Sequence, residues 1–125
     1  MELITQHLCA ANQMGLHGNL FGGILLSWID ESGFILAAKH CKSAQLVTLK
    51  LEELTFKKPL KEGNLALIYG QVEHIGNSSI RLYLEVRKKD VSNQTEEVVT
   101  FTWIVFVHVN PMTGKPQKIT QHGNV

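Results

Sequence analysis

A surplus of charge of either sign is missing from this sequence, in which 12 Lys and Arg stand against 11 Asp and Glu for a formal net charge of +1. No chain-wide field therefore exists to hold nucleic acid or an anionic membrane by counterion release, and an anionic ligand must be met by local charges. Cysteine is scarce as well. Cys9 and Cys41 are the only two, far from the dense pattern of disulfide-stapled secreted domains, and they read as reduced thiols in a cytoplasmic protein. No apolar run is long enough to span a bilayer: the longest region, residues 20–38, is interrupted by Asp30, Glu31 and several glycines. Met1-Glu2-Leu3-Ile4 lacks a basic region followed by an apolar stretch, so no secretory signal is expected. His7, His17, His40, His74, His108 and His122 show no metal-ligand spacing such as His-Glu-x-x-His, which leaves them core or surface roles. Gly15, Gly18, Gly22 and Gly23 match neither the dinucleotide fingerprint nor a P-loop, which ends in Lys-Ser or Lys-Thr.

What is present is the composition of one compact domain, 125 residues with 44% hydrophobic and 18% charged, enough to bury a continuous core without staples. Residues 3–9 suit a short leading strand. Residues 12–23 are rich in glycine, so the backbone must turn sharply and approach something closely. A helix is expected over 23–40, where Leu25, Leu26, Trp28, Ile29, Phe34, Ile35, Leu36, Ala37 and Ala38 cover nearly the whole circumference. Lys39, His40 and Lys42 suit the negative pole at its end.

Beyond the helix the pattern has period two. Residues 46–56 alternate through Val47, Leu49, Leu51, Leu54 and Phe56, so half of that strand should face a core. A polar connection over 57–64 precedes a strand at 65–75, and Gly76-Asn77 makes a tight hairpin. Ile80, Leu82, Leu84 and Val86 then share one face, with Arg81, Tyr83, Glu85 and Arg87 on the other. A turn at 90–95, a last strand over 98–109 and a closing turn at 110–114 follow, and the polar tail from about residue 116 is expected to be poorly ordered. A helix hydrophobic on every side needs a partner that wraps it. The expected architecture is accordingly α+β, a single domain in which a curved antiparallel sheet surrounds one long central helix.

Gly18-Asn19-Leu20-Phe21-Gly22-Gly23 followed by Leu25-Leu26-Ser27-Trp28-Ile29-Asp30-Glu31 resembles the signature of hotdog-fold acyl-CoA thioesterases. The likeness continues through Ala37-Ala38-Lys39-His40-Cys41, Val47-Thr48, Phe56-x-x-Pro59-x-x-x-Gly63, Gly76-x-Ser78-Ser79 and Phe106-Val107-His108-Val109, so it covers nearly the whole chain. In order and spacing it is similar to the bacterial YciA-type enzymes and the cytosolic acyl-CoA hydrolases. The resemblance implies a hotdog fold, pairing into homodimers and into tetramers or hexamers, and hydrolysis of an acyl-CoA to a free acid and coenzyme A. It also implies Asp30 as the acidic residue, the backbone of Gly22 or Gly23 as oxyanion donor, and Thr48 as the nearby hydroxyl. No metal or organic cofactor belongs to the pattern, the coenzyme A being part of the substrate. Relatives commonly carry an Asn three residues before the glycine matching Gly18, where this chain has Gly15. Either an insertion brings Asn12 to that spot, or His17 or Asn19 makes the polar contact.

The residues can be read for the same chemistry. Thioester hydrolysis needs an activated water and donors aimed at the oxygen that becomes negative. Gly22 and Gly23 at a helix start leave N–H groups unpaired, with the positive pole of the dipole behind them. Asp30 lies eight residues on, about 12 Å along the same helix at 1.5 Å per residue. One carbonyl cannot touch both. If both groups act on the same carbonyl, Asp30 must come from a second chain whose helix runs antiparallel across a two-fold axis, which predicts an obligate dimer with two composite sites. Asp30 acts either as general base or as nucleophile. Lys57, Lys58, Arg81, Arg87, Lys88 and the hairpin Ser78-Ser79 are candidates for the coenzyme A phosphates, and Phe21, Trp28 and Phe34 for an acyl pocket. The competing reading is a non-catalytic acyl-CoA sensor on the same fold. Such regulators normally bring a second domain, for which this chain has no room.

Overall fold

The computed structural model describes residues 1–120. It has a leading strand β1 (Glu2–Leu8), a 3-10 turn (Ala11–Gln13), one helix α1 (Gly22–Cys41), and then strands β2 (Leu46–Leu51), β3 (Leu65–Ile75), β4 (Ser79–Lys89) and β5 (Glu96–His108). The strands form one antiparallel sheet in the order β1-β3-β4-β5-β2. The expected helix and all five expected strands are present, with ends displaced by a residue or two except at β2.

Alternation decides which face of the sheet meets the helix. Ile80, Leu82, Leu84 and Val86 of β4 are buried, as are Ile104 and Phe106 of β5, while their sequence neighbours turn to the other side. From α1 the sheet receives Leu25, Ile29, Ser32, Gly33, Leu36, Ala37, His40 and Cys41, a stripe at steps of three and four that winds with the helix. Gly33 permits the approach: a Cβ there would stand 3.0 Å from the Phe106 ring and 3.2 Å from Ile104. Gly70 of β3 does the same opposite Leu36 and Leu84.

Three expectations change. The helix is covered along one stripe only, because a single sheet reaches only part of a cylinder; Leu26 and Ile35 stay 39% and 43% exposed. Strand β2 stops at Leu51 rather than residue 56, and its inward residues are Leu46 and Thr48, opposite His108 and Phe106, whereas Val47 lies opposite Val107 on the outer face. Val47, Leu49 and Phe56 are accordingly exposed. The reason is position: β2 is an edge strand, with a neighbour on one side only. Finally, residues 116–120 of the tail are held. Gln117 N–H donates to the His108 carbonyl, Ile119 N–H donates to Asn77, and Ile119 is buried. His108 Nδ1–H lies 3.1 Å from the Gln117 carbonyl while its Nε2 accepts from Ser43 Oγ, which ties the same segment to the end of the helix. The rest of the expected tail, with His122, lies outside the described residues.

Candidate active site

The glycine-rich segment folds back on itself before the helix begins. Gly15 N–H donates to Asn19, Gly18 N–H donates to Gly15, and Met14 pairs with Leu20, with Gly18 at φ 76° in the left-handed region that glycine adopts without strain. Leu16 and His17 are exposed at the tip of this loop. Phe21 then caps α1 with its main chain alone: no side chain accepts from the first turn, and the Phe21 carbonyl takes both Ile24 N–H and Leu25 N–H. Among the described residues nothing accepts from the N–H of Gly22 or Gly23. These are the orphan donors every helix start creates, and here they carry the positive end of the dipole. A Cβ at Gly22 would meet nothing within 4 Å, so space beside Gly22 is open, whereas one at Gly23 would stand 2.9 Å from the Phe21 ring.

A cavity of about 470 Å³ opens beside Gly22. Leu20, Leu25, Phe56, Pro59 and Leu60 give it apolar walls, and Asn19, Lys57 and Lys58 supply the polar lining. Asn19 is fixed there, its Oδ1 accepting from Lys61 Nζ at 2.8 Å. Lys58 pairs with Glu97 at 3.0 Å, which holds the Glu97 carboxyl below its usual range, and Lys57 Nζ lies 4.8 Å over the Phe101 ring.

Asp30 stands elsewhere. It is exposed in the middle of α1 and is absent from the cavity wall. The inward phase of β2 brings Thr48 beneath it, and Thr48 Oγ1 donates to Asp30 Oδ1 at 2.7 Å. This bond orients one carboxylate oxygen and leaves the other free for a proton or a carbon.

The expected site residues therefore fall into two groups within the chain, Gly22, Asn19, Lys57 and Lys58 at the cavity, with Gly23 following Gly22 in the chain without lining it, and Asp30 in mid-helix with Thr48 of β2 beside it. Others are not brought to either. Asn12 is exposed in the 3-10 turn and His17 at the loop tip. Phe21 is 61% exposed against Gly23, and Trp28 stacks on His7 with centroids 4.3 Å apart. Ser78 and Ser79 turn the β3–β4 hairpin beside the tail. Arg81 is engaged by Glu52 at 2.9 Å and Arg87 by Glu85 at 2.6 Å, both on the outer face of the sheet. The walls Leu20, Leu25 and Leu60 and the clamp from Lys61 were not singled out, since apolar residues beside a core carry no chemical signal in sequence. Among the described residues no three His, Cys, Asp or Glu gather as metal ligands, and no helix is long and apolar enough to cross a membrane.

The thioesterase superfamily model matches residues 17–93, more than half of the chain. An acyl-CoA thioester hydrolase YciA of Salmonella typhimurium is 30% identical over 125 residues, covering 98% of this chain and 92% of that protein. A hexameric thioesterase of Yersinia pestis superposes with a TM-score of 0.88 at 30% identity, covering 96% of each chain. An acyl-CoA hydrolase of Staphylococcus aureus, solved with butyryl coenzyme A and coenzyme A, gives 0.84 at 28% identity over 94% of this chain and 70% of its own. With its one long helix against a five-stranded antiparallel sheet, this chain belongs to the thioesterase superfamily and carries the hotdog fold.

Proposed function

We propose that the protein hydrolyses acyl-CoA thioesters to a free carboxylic acid and coenzyme A, at composite sites in which Asp30 of one copy faces the Gly22 and Gly23 N–H groups of another. The observation that carries this reading is the separation just described: an open backbone donor at Gly22 beside a cavity that Asp30 does not line, and a Thr48-oriented carboxylate exposed eight residues further along the helix. Each half lacks what the other holds.

A second copy is called for independently. Leu26 and Ile35 lie exposed on the helix that carries Asp30, and β2, which carries Thr48, has an unpaired edge with Leu49 65% exposed. Exposed apolar side chains beside a free strand edge are an unfinished surface. A copy related by a two-fold axis would cover it and bring the helix start of one chain to the middle of the other.

In such a site the thioester oxygen takes the Gly22 and Gly23 N–H groups, which strengthen as charge develops on it. The apolar walls suit the acyl chain, and Lys57 and Lys58 suit the coenzyme A phosphates, with Asn19 as a fixed polar group in the same cavity. Asp30 removes a proton from water or attacks the carbonyl carbon itself; the oriented carboxylate serves both routes. We read the reaction as needing no cofactor beyond the coenzyme A of the substrate. Two free thiols, both buried and pushed up by that burial, suit a reducing compartment, and we place the protein in the cytoplasm.

The test is free-thiol release from a panel of acyl-CoAs, comparing the native chain with Asp30→Asn. Loss of about 10²-fold or more in turnover with binding retained is the expected result, the range for a removed general base. Binding with no turnover by the native chain across the panel would sink the hydrolase and favour a sensor.

A further inference from the structure

We propose that the side-chain amide of Asn19 is a further donor to the thioester oxygen, beside the Gly22 N–H, and that Lys61 is the positioning residue that orients it. The proposal rests on the hydrolase reading above and deepens it, naming two side chains for the half of the site that the helix start supplies.

Of the two donors at the helix start, Gly22 lines the cavity and Gly23 does not. Negative charge developing on a carbonyl oxygen is stabilised by fixed donors that converge on it, so a side-chain donor in the same wall adds directly to what Gly22 offers. The cavity has three polar side chains in its lining. Lys58 is engaged by Glu97 at 3.0 Å, and Lys57 Nζ lies 4.8 Å over the Phe101 ring. Asn19 is the third, and among the described residues nothing accepts from its amide N–H groups. Asn12 and His17, the other polar side chains flanking the glycine-rich turn, are not part of this lining.

The orientation of the amide follows from chemistry. Lys61 Nζ donates to Asn19 Oδ1 at 2.8 Å. An ammonium has donors and no acceptor, so the amide atom that meets it must be the oxygen, and Nδ2 with its two hydrogens is held on the side away from Lys61. Rotating the amide by half a turn would set N–H against N–H and forfeit a charge-assisted bond.

Backbone pairing keeps the two residues in register. Asn19 and Lys61 face each other across an antiparallel bridge, Leu20 N–H donates to the Leu60 carbonyl at 2.7 Å, and Lys61 N–H donates to Asn64 Oδ1 at 2.9 Å. On the other flank Gly15 N–H donates to the Asn19 carbonyl at 2.7 Å and Phe21 N–H to the Gln13 carbonyl at 2.9 Å. Residues 19–21 are thus fixed from both sides immediately before Gly22. Side-chain amide and backbone donor ride on one held segment, so neither has to reorganise as charge forms. Asn19 and Lys61 meet at an exposed position, where a polar pair contributes little to stability; what the bond sets is direction.

Thiol release at varied acyl-CoA concentration tests this. Asn19→Asp keeps the size of the side chain and an acceptor for Lys61 but removes both N–H donors, and should lower kcat by about 10²-fold, the effect of a lost oxyanion donor, with little change in KM and a native melting curve. Asn19→Ala gives the same readout if the first variant does not fold. Lys61→Met should lower kcat several-fold at constant KM, and equally toward a truncated thioester without phosphates, while Lys61→Arg, also a donor-only cation, restores the native kcat. Native kcat in the Asn19 variants would overturn the proposal, and so would a Lys61→Met variant that raises KM for acyl-CoA and leaves kcat, the mark of a phosphate contact. If the native chain releases thiol and the Asn19 variants match it, the donor assignment fails and the hydrolase reading stands. If the native chain hydrolyses no acyl-CoA, both fall together.

Discussion

The proposed composite site makes a quantitative prediction for mixed subunits. Asp30→Asn removes the carboxylate, and Gly22→Val fills the open space before the orphan donors, where a Cβ meets nothing within 4 Å and the change should therefore cost the fold little. Each variant alone should be nearly inactive, since every site contains one damaged half. When the two are co-expressed and pair at random, about half of the dimers hold one chain of each kind. In a mixed dimer one site joins the intact Gly22 of the first chain to the intact Asp30 of the second, and the other site joins the two damaged halves. Per-site turnover should thus recover to about a quarter of the native value. The figure follows from the span of about 12 Å that eight helical residues place between donor and acid. Thiol release is measured on the co-expressed protein after both tags have been selected in sequence, which removes particles built from one parent alone and, for a two-chain particle, raises the expected value to about half. If the mixture stays as inactive as its parents while both chains are shown to be paired, donor and acid work within one chain and the geometric reasoning is wrong.

Three further outcomes are expected. Thr48→Val removes the 2.7 Å bond to Asp30 and should lower kcat by roughly 10-fold or more, the size of a hydrogen bond to a charged group, with little change in KM; unchanged kcat would leave Thr48 as a strand residue only. Lys57→Ala and Lys58→Ala, at the cavity rim, should raise KM for acyl-CoA several-fold while leaving kcat, with the increase shrinking at high salt; a truncated thioester without phosphates should not discriminate these variants. Burial is the main cause that lowers His7 and His40 from 6.5 in the folded chain, so the unfolded chain binds protons first as pH falls. Stability should be full above about pH 7 and decline below about 6.5, and the thermal midpoint of a His7→Gln, His40→Gln variant should fall less over that range; parallel curves would refute the assignment.

Much of this molecule is legible along the chain. Glycines followed by an apolar helix, then four alternating runs separated by Pro, Gly and Asn, specify one helix and a sheet, because periodicities of 3.6 and 2 are local properties of which side each residue faces. The resemblance of residues 18–31 singles out Asp30 and the two glycines, and the spacing between them calls for a second chain. Other features lie beyond local pattern. Apolar residues around the whole circumference of α1 give no hint of which stripe the sheet leaves open, and Leu26 and Ile35 are exposed only because the sheet ends. The phase of β2 likewise depends on its pairing with β5 at the edge, which turns Thr48 toward Asp30 and Val47 away.

Arg81, Arg87, Ser78 and Ser79 show the same division. As residue types they suit phosphate, yet the fold commits both arginines to the outer face and sets the serines at the hairpin beside the tail. Residue order thus determined the elements, which follow from periodicity along one chain, while the family resemblance of residues 18–31 named the candidate reacting groups and their spacing called for a partner. Tertiary structure decided which face each group occupies and what stands next to it, because strand order, sheet edges and helix placement arise from contacts between residues far apart in sequence.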